Sequence, residues 1–209
     1  MVQLLSNLYS QISQDYFVNH LLDKDNGFFV DIGAGVGHLD ARTVPVSFMS
    51  NTFALEIFRG WKGVAIDYDE IYVEQAKRVR SCDVVCEDLL KRNINDILER
   101  HNVPNEIDYL SFDVDGAQDK VFSEFDFSKY RARVITYEHD MYRNEKEQYD
   151  EKSRARFKEL GYQMLFGNVS IEMDQPVEDW YVDQEVFDEY KHLQKDDVNQ
   201  VEVIKSLHA

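Results

Sequence analysis

The sequence is poor in basic residues and cysteine, and each shortage narrows the possible functions. It has 23 Lys and Arg against 40 Asp and Glu, for a formal net charge of -17. Phosphate backbones are held by clustered Lys and Arg, so no nucleic-acid partner is expected. No apolar run reaches the length of a membrane span, and the N-terminus lacks the basic-then-apolar pattern of a signal peptide. We therefore expect a cytoplasmic protein without a membrane segment.

The only two cysteines are Cys82 and Cys86, which are too few for a disulfide framework. On a strand, residues four positions apart share a face but lie too far apart for a relaxed disulfide. The expectation is two buried free thiols in a reducing compartment. By contrast, the 209 residues are 44% hydrophobic, which is enough for one globular domain with a sizeable core.

The stretch around which the chain is organised is residues 27–37, GFFVDIGAGVG. The short apolar run Phe28–Val30 predicts a buried strand, and glycines after a strand let the backbone turn tightly beside a ligand. Ligands of open α/β sheets bind outside the carboxyl ends of the strands. The spacing is G-x-G-x-G rather than the G-x-G-x-x-G of dinucleotide sites, and Asp31 suits a ligand that carries an amine. The pattern resembles motif I of class I S-adenosylmethionine-dependent methyltransferases.

Strands alternate with helices along the chain, which predicts a mostly parallel sheet with right-handed crossovers. The predicted strands are Phe28–Val30, Lys62–Asp67, Asp83–Cys86, Ile107–Val114 and Arg133–Glu138. The predicted helices span residues 3–22, 53–58, 70–80, 94–101 and 146–160, with 122–130 helical or irregular. Tyr162–Phe166 and Val169–Met173 are predicted to form a closing antiparallel pair that turns at Gly167-Asn168.

The whole chain, residues 1–209, is predicted to form a single domain. It would consist of an N-terminal helix at about 3–22, a core at about 27–187 and a polar tail at 188–209 with little to bury. The stretch His38–Phe48 is irregular. The acidic run Asp174–Asp183 is interpreted either as a lid or as a solvated surface.

Acidic residues follow successive predicted strands. Asp31, Asp67 and Asp113 end three of them, and Asp88 lies just beyond another. These ends meet at one edge of the sheet, so the carboxylates are expected to converge on one cleft. Asp67 is placed to accept hydrogen bonds from two ribose hydroxyls, Asp88 to accept one from an adenine amino group, and Tyr68 to lie against the adenine ring. A single such acid is usually a solvated loop carboxylate, so the prediction rests on the joint pattern.

Five stretches together resemble the FkbM family of methyltransferases. They are Phe29–Gly37, Ser50-Asn51-Thr52 with Leu55-Glu56, Gly60–Val64, Leu110–Gly116 and Val177–Val182, within a resemblance that runs from about Gly27 to Phe187. It implies an α/β, Rossmann-like class I methyltransferase fold: a mostly parallel central sheet, an antiparallel closing hairpin and helices on both faces. It also implies S-adenosylmethionine as methyl donor and, as acceptor, a hydroxyl of a sugar, polyketide or similar small molecule. The predicted cofactor-binding residues are Asp31, Gly33, Ala34, Gly35, Gly37, Asp67, Tyr68, Asp88 and Asp113.

Methyl transfer to an alcohol requires a base, a divalent cation or both, because the pKa of an alkyl hydroxyl is far above 7. The candidate catalytic residues are Asp113, Glu138 and His139, with Asp115 and Asp140 beside them. In one interpretation Asp113, Glu138 and His139 hold Mg²⁺ or Mn²⁺, with Zn²⁺ left open by the histidine. The spacing of Asp108 and Asp113 resembles that of metal-dependent catechol-type O-methyltransferases.

Two interpretations of the acceptor residues involve no metal. In one, His139 is the general base and is oriented by Glu138 or Asp115. In the other, these residues form only a turn and a capped strand end.

Two rival functions stay open for the chain as a whole. One is an NAD(P)-dependent oxidoreductase, against which stand the glycine spacing and the lack of a Tyr-x-x-x-Lys pair at the cleft. The other is a non-catalytic, methyltransferase-like module that binds a partner through its acidic surface.

Overall fold

The computed structural model describes residues 9–35, 50–114, 116–139, 148–171 and 175–208. The predicted functional residues Gly37, Asp115 and Asp140 lie outside these ranges, as do the stretch His38–Phe48 and the first part of the predicted N-terminal helix.

The centre of the fold is a sheet whose strands in the described ranges follow the order β3-β2-β1-β4-β5-β7-β6. The strands are β1 Phe28–Ile32, β2 Lys62–Asp67, β3 Asp83–Cys86, β4 Glu106–Phe112, β5 Arg131–Glu138, β6 Gln163–Ser170 and β7 Pro176–Val182. Strands β1 to β5 run parallel to one another, whereas β7 is antiparallel to both β5 and β6. The predicted fold class is therefore confirmed: a mostly parallel α/β sheet that closes with an antiparallel hairpin.

Short helices precede, connect and follow the strands. They are α1 Gln14–Leu22, α2 Phe53–Arg59, α3 Glu70–Ala76, α4 Ile94–Arg100, α5 Gln118–Glu124, α6 Gln148–Glu159, α7 Gln184–Tyr190 and α8 Gln200–Ser206. Helix α2 illustrates how side chains favour a helix start. The Ser50 Oγ accepts a hydrogen bond from the Phe53 N–H at 3.2 Å, an N–H that has no partner within the helix. Its end is the predicted one, with Gly60 in the left-handed conformation at φ 66°.

The sheet separates two hydrophobic cores, because successive side chains of a strand point to opposite faces. One core, here called the α4–α6 face, includes Ile32, Phe112 and Tyr137 and packs against helices α4, α5 and α6. The other, here called the α1 face, includes Phe29 and Trp180 and packs against α1, α2, α7 and α8. Both faces are covered, as expected for a parallel sheet.

The predicted hairpin at Gly167-Asn168 is wrong. Most of the first arm and the start of the second, residues 169–170, belong to the single strand β6, whose antiparallel partner is β7. Gly167 and Asn168 lie at an irregularity where the register shifts between Phe166 and Val169, and Asn168 has φ 50°. A β-bulge uses the same residue types as a tight turn, which is why the sequence pattern pointed to the wrong place.

The acidic run 174–183 is neither a lid nor a solvated surface where it is described. Residues 176–182 form β7, inside the sheet between β5 and β6. Glu178 is 3% and Asp179 0% exposed. The sequence pattern did not indicate this strand, because its buried positions carry carboxylates, which are rarely buried unless they are paired.

The C-terminal segment buries more than its composition suggested. Val198, Val203 and Leu207 are buried in the core of the α1 face. The Gly167 N–H donates to the Lys195 carbonyl at 2.9 Å, which ties the segment to β6. A capping box at Asn199 starts helix α8.

The cysteines also differ from expectation. Both are free, but Cys86 is exposed and Cys82 is half-buried, because β3 is a short strand at the edge of the sheet. Burial raises the pKa of the Cys82 thiol to about 12. Within the described ranges, no helix combines the length and the apolar character that crossing a membrane requires.

Candidate functional site

The carboxyl ends of β1, β2 and β4 form one edge of the sheet. Ile32, the last residue of β1, is level with Ile66 of β2 on one side and with Phe112 of β4 on the other. The residues that follow, among them Gly33, Asp67 and Asp113, therefore lie side by side. The chain leaves β1 toward β2 and later returns to β1's other side as β4, which is the topological switch point where α/β sheets bind ligands.

The glycine loop is folded tightly against this edge. The N–H groups of Gly33 and Ala34 both donate to the Ile66 carbonyl, each at 2.9 Å. Gly33 has φ 82°, and an added Cβ there would lie 1.5 Å from the Asp113 carbonyl oxygen. Only glycine fits this conformation and this close approach of two backbone segments.

Asp67 connects the end of β2 to the glycine loop. One carboxylate oxygen accepts from the Gly35 N–H at 2.9 Å and the other from the Asp69 N–H at 2.8 Å. Burial raises the pKa of Asp67, and these hydrogen bonds act in the opposite direction. Each oxygen keeps a second lone pair, so the orientation of the carboxylate is fixed while it can still accept hydrogen bonds from a ligand.

Tyr68 and Asp88, the predicted adenine contacts, lie after β2 and β3. Tyr68 is 73% exposed, so an aromatic face is presented to solvent beside Asp67. Asp88 is half-buried, and its Oδ2 lies 2.7 Å from the Lys91 Nζ. The structure thus places both at the same edge as Asp67, since β2 and β3 pair in parallel.

Asp31 is the most deeply buried of the predicted cofactor residues, with 1% exposure on the α1 face. Its Oδ2 accepts a hydrogen bond from the Thr52 hydroxyl at 2.6 Å. Among the residues that the structure describes, no group is hydrogen-bonded to its Oδ1. Burial raises the pKa of Asp31, and the Thr52 hydrogen bond and the Arg80 charge oppose the shift only in part.

Arg80 is a buried partner of this region that the sequence analysis did not find. It donates to the Thr52 hydroxyl at 2.8 Å and to the Ser50 hydroxyl at 3.1 Å, and its Nε pairs with Glu56. The side chains of Arg80 and Glu56 are 3% and 1% exposed. No spacing pattern predicts this contact, because Arg80 follows α3 whereas Ser50, Thr52 and Glu56 lie around the start of α2.

The Ser-Asn-Thr motif also reaches β4. The Asn51 side chain donates to the Ser111 hydroxyl at 3.0 Å, and both residues are buried. The Thr52 hydroxyl donates to Asp31 of β1, so the motif connects the start of α2 to β1 as well as to β4, the two strands at the switch point. This is a positional role for the motif that carried the family resemblance.

The end of β5 holds the predicted acceptor residues Glu138 and His139. Being adjacent on an extended chain, they point to opposite faces of the sheet. Tyr137 is level with Asp179 of β7, and the Nε2 of His139 lies 3.6 Å from the Asp179 Oδ1. Glu138 is level with Glu178.

The structure does not gather Asp113, Glu138 and His139 into a metal site. No group of three or more His, Cys, Asp or Glu side chains suited to a metal ion occurs in the described ranges. The physical reason is the alternation along β5, which separates the side chains of Glu138 and His139. Asp108 is remote as well: it sits near the opposite edge, 2.7 Å from the Lys24 Nζ and 2.8 Å from the Phe28 N–H.

Asp179 is the centre of a second buried charge cluster, also not found from the sequence. Arg154 of α6 donates from Nε to Oδ2 and from Nη2 to Oδ1, each at 2.7 Å. The Asn168 N–H donates to Oδ1 at 2.9 Å, and the Tyr181 hydroxyl to Oδ2 at 3.0 Å. Burial alone would raise the pKa of Asp179, but Arg154 and His139 together hold it well below its usual range.

Comparison with known proteins supports the fold, and it gives a family match over part of the chain. The profile described as the methyltransferase FkbM domain matches residues 83–164. This match is narrower than the predicted resemblance and does not include the glycine loop. Among curated proteins there is no significant sequence match.

Solved structures share the fold at low sequence identity. A TehB-like SAM-dependent methyltransferase from Corynebacterium glutamicum has a TM-score of 0.51 at 12% identity, covering 83% of this chain and 89% of that one. A precorrin-6y C5,15-methyltransferase from Geobacter metallireducens has a TM-score of 0.52 at 13% identity, covering 87% and 91%. The METTL16 MTase domain has a TM-score of 0.52 at 14% identity, covering 81% and 65%. The chain therefore has the class I methyltransferase fold and carries, over residues 83–164, a match to the FkbM methyltransferase domain.

Proposed function

We propose that this protein is an S-adenosylmethionine-dependent methyltransferase that methylates a hydroxyl group of a small polar molecule, such as a sugar or glycan. The observation that carries the proposal is the junction of Gly33, Gly35, Asp67 and Asp113 at the switch point of the sheet. It combines a half-buried glycine loop, a fixed carboxylate and a neighbouring exposed aromatic ring in the place where class I folds bind their cofactor.

The donor residues follow from this geometry. Asp67 accepts hydrogen bonds from the ribose hydroxyls with the lone pairs left by the Gly35 and Asp69 N–H groups. Tyr68 covers the adenine ring, and Asp88 lies near its amino group. Asp31, buried beneath the glycine loop with one oxygen committed to Thr52, provides the negative charge nearest the amino acid part of the donor.

The net charge of -17 supports a neutral acceptor over a phosphate-rich one. The fold itself does not choose the acceptor atom, since one neighbour is titled a C5,15-methyltransferase and another is the METTL16 MTase domain. The preference for a hydroxyl rests on the FkbM resemblance and on His139, which follows β5 at the same edge and is of the residue type that most often takes a proton near neutral pH.

In this mechanism the bound donor supplies an electrophilic methyl group on a sulfonium. When bound, the donor would transfer this methyl group to the acceptor oxygen and leave as the neutral thioether, and His139 would take the hydroxyl proton. The mechanism contains no cation, because the predicted ligands Glu138 and His139 point to opposite faces of the sheet.

Calorimetric titration of S-adenosylmethionine and S-adenosylhomocysteine tests the donor site. We expect micromolar binding by the wild type and a loss of at least tenfold in Asp67→Asn, which keeps the shape of the side chain but removes one strong acceptor. Asp108→Asn, a carboxylate change near the opposite edge of the same sheet, is the matched control and should bind normally. Preferential binding of NADH would favour the oxidoreductase, and no binding of either cofactor would favour the non-catalytic module.

The acceptor is tested with a panel of neutral saccharides and a methyl-labelled donor. Transfer to a hydroxyl gives an ether, so the label should survive treatment with strong base, whereas a methyl ester would release it. Label transfer only to phosphorylated or nucleic-acid acceptors would contradict the proposed substrate class.

A further inference from the structure

We propose that Thr52 is the positioning residue of Asp31 in donor binding. Its hydroxyl, which Arg80 orients, holds one carboxylate oxygen of Asp31 and so reserves the other oxygen for the ammonium group of the methyl donor. This inference rests on the proposed function, and it gives the threonine of the Ser-Asn-Thr motif a part in donor recognition.

The first support is the direction of the hydrogen bonds at Thr52. The Arg80 Nη2 lies 2.8 Å from the Thr52 hydroxyl oxygen, and a guanidinium group can only donate. The hydroxyl oxygen is therefore the acceptor in this bond, and its single proton is left for Asp31, whose Oδ2 lies 2.6 Å away. It follows that Thr52 donates to Asp31 and holds the carboxylate by its Oδ2.

The second support is that Arg80 itself cannot turn. Its Nε pairs with Glu56, and its Nη1 donates to the Ser50 hydroxyl at 3.1 Å. Each of the three guanidinium nitrogens thus has a partner, because the remaining one donates to Thr52. The side chain of Arg80 is only 3% exposed, so the surrounding protein also restricts it. An arginine fixed in this way keeps the Thr52 hydroxyl in one orientation.

The third support is the other carboxylate oxygen of Asp31. This Oδ1 is buried, and no group in the described parts of the chain is hydrogen-bonded to it. The neighbouring Ser111 hydroxyl also lowers the pKa of Asp31, but it leaves Oδ1 without such a bond. An unpaired carboxylate oxygen is costly to bury, and in a native protein it calls for a partner such as a ligand, an ion or water. The donor's ammonium group, with its positive charge and three N–H groups, is complementary to it.

The position of Asp31 fits this partner. Asp31 is the last residue but one of β1, and the glycine loop begins directly after that strand. Asp67 accepts from the Gly35 N–H of the same loop, and its charge raises the pKa of Asp31, so the two carboxylates lie near each other. A single donor molecule thus meets both of them, with its ammonium group at Asp31 and its ribose hydroxyls at Asp67.

The test compares S-adenosylhomocysteine with its deaminated analogue, which lacks only the amine, by calorimetric titration. The wild type should bind the analogue at least about tenfold more weakly, the effect of losing one hydrogen bond between charged groups. In Thr52→Val, which removes the hydroxyl at similar side-chain shape, we expect this ratio of affinities to fall to within about threefold. A merely structural role of Thr52 would weaken both ligands equally and leave the ratio unchanged.

Two further variants isolate the hydroxyl of Thr52. Thr52→Ser keeps the hydroxyl and should restore the wild-type ratio. Ser50→Ala is the matched control, because it removes another hydroxyl that Arg80 binds in the same motif while the bond from Thr52 to Asp31 stays in place. It should also keep the wild-type ratio.

The proposal is overturned if the wild type binds both ligands equally, because Oδ1 then receives no amine. It is equally overturned if Thr52→Val keeps the wild-type ratio. The comparison on the wild type keeps the proposal falsifiable even if Thr52→Val does not fold. Failure of the proposed function is a separate result, since neither ligand would then bind the wild type.

Discussion

Two buried aspartates, each near a buried or half-buried arginine, have opposite acid–base properties in this protein. Asp31, beneath the glycine loop, reaches Arg80 only through the Thr52 hydroxyl, and its pKa is raised. Asp179, in β7, accepts hydrogen bonds directly from the Nε and Nη2 of Arg154, and its pKa is lowered. Burial is nearly the same at the two sites, so the difference comes from the direct contacts of Arg154 with Asp179, together with the neighbouring His139.

The comparison shows that burial does not by itself say what a carboxylate does. Arg80 is already paired with Glu56, so little of its charge is available to Asp31. Burial raises the pKa of Asp31 with little compensation, so a cation that arrives beside this carboxylate stabilises its charge, which suits a site for the amine of a donor. The pKa of Asp179 is lowered instead, so this carboxylate suits a lasting structural pairing with Arg154. Four predictions, from the largest expected effect to the smallest, test this contrast.

The largest effect is expected on removing Arg80. Arg80→Met leaves Glu56 as an unpaired buried charge, and we expect the free energy of unfolding to fall by about 3–5 kcal/mol in urea denaturation. The control is Lys77→Met, which breaks a pair with Glu74 whose side chains are 48% and 59% exposed. That change should cost less than about 1 kcal/mol. Equal costs for the two variants would contradict the assignment of Arg80 to a buried ion pair.

Asp179→Asn should come next. The single amide oxygen of asparagine cannot accept all the hydrogen bonds that the two carboxylate oxygens now share, and the Arg154 guanidinium loses the carboxylate that it contacts at 2.7 Å. We expect a loss of about 2–3 kcal/mol in the free energy of unfolding at pH 7, measured by the same denaturation. Unchanged stability would mean that the charge of Asp179 contributes nothing to the fold.

Asp31→Asn should do much less to stability. Asparagine resembles the neutral form that burial favours at this site, so the free energy of unfolding at pH 7 should change by less than about 1 kcal/mol. Under the proposed function, the affinity for S-adenosylmethionine should nevertheless fall, by about tenfold for one lost charge interaction. A loss of stability as large as that of Asp179→Asn, with normal cofactor binding, would reverse the proposed roles of the two residues.

The smallest effect concerns pH. The lowered pKa of Asp179 gives a stabilisation that is present above the unfolded value of about 3.9 and is lost as pH falls below it. The raised pKa of Asp31 has the opposite sign, so its contribution improves as pH falls through that raised value toward about 3.9. These signs are tested by measuring the free energy of unfolding in urea from pH 3 to 6. The difference in this free energy between wild type and Asp179→Asn should change below about pH 4. The corresponding difference between wild type and Asp31→Asn should change above about pH 4. Parallel profiles for all three proteins would contradict the assigned shifts.

Much of the fold was predictable because each local signal was strong. Strands β2 and β3 begin and end where they were predicted, and Gly60 ends α2 as expected. The glycine loop and Asp67 were predicted to meet, and the Gly35–Asp67 hydrogen bond joins them. These features depend on short apolar runs, on glycine and on the rule that parallel strands end at one edge.

The predictions that failed involve strands with buried polar side chains. The sequence of strand β7 has the pattern of a solvated acidic segment, because the partners of its carboxylates come from distant parts of the chain. Gln14 of α1 donates to Glu178, and Arg154 of α6 donates to Asp179. The metal set failed for a related reason, since adjacency in sequence separates Glu138 from His139 across the sheet.

The sequence by itself determined the order of strands and helices, the glycine loop and the acids at the sheet edge, because these depend on local conformation and on periodicity. Only the tertiary structure decided which arginine serves which carboxylate, since such pairs form between elements up to tens of residues apart. That choice leaves the pKa of Asp31 raised by burial and holds the pKa of Asp179 below its usual range, and no local pattern in the sequence distinguishes the two.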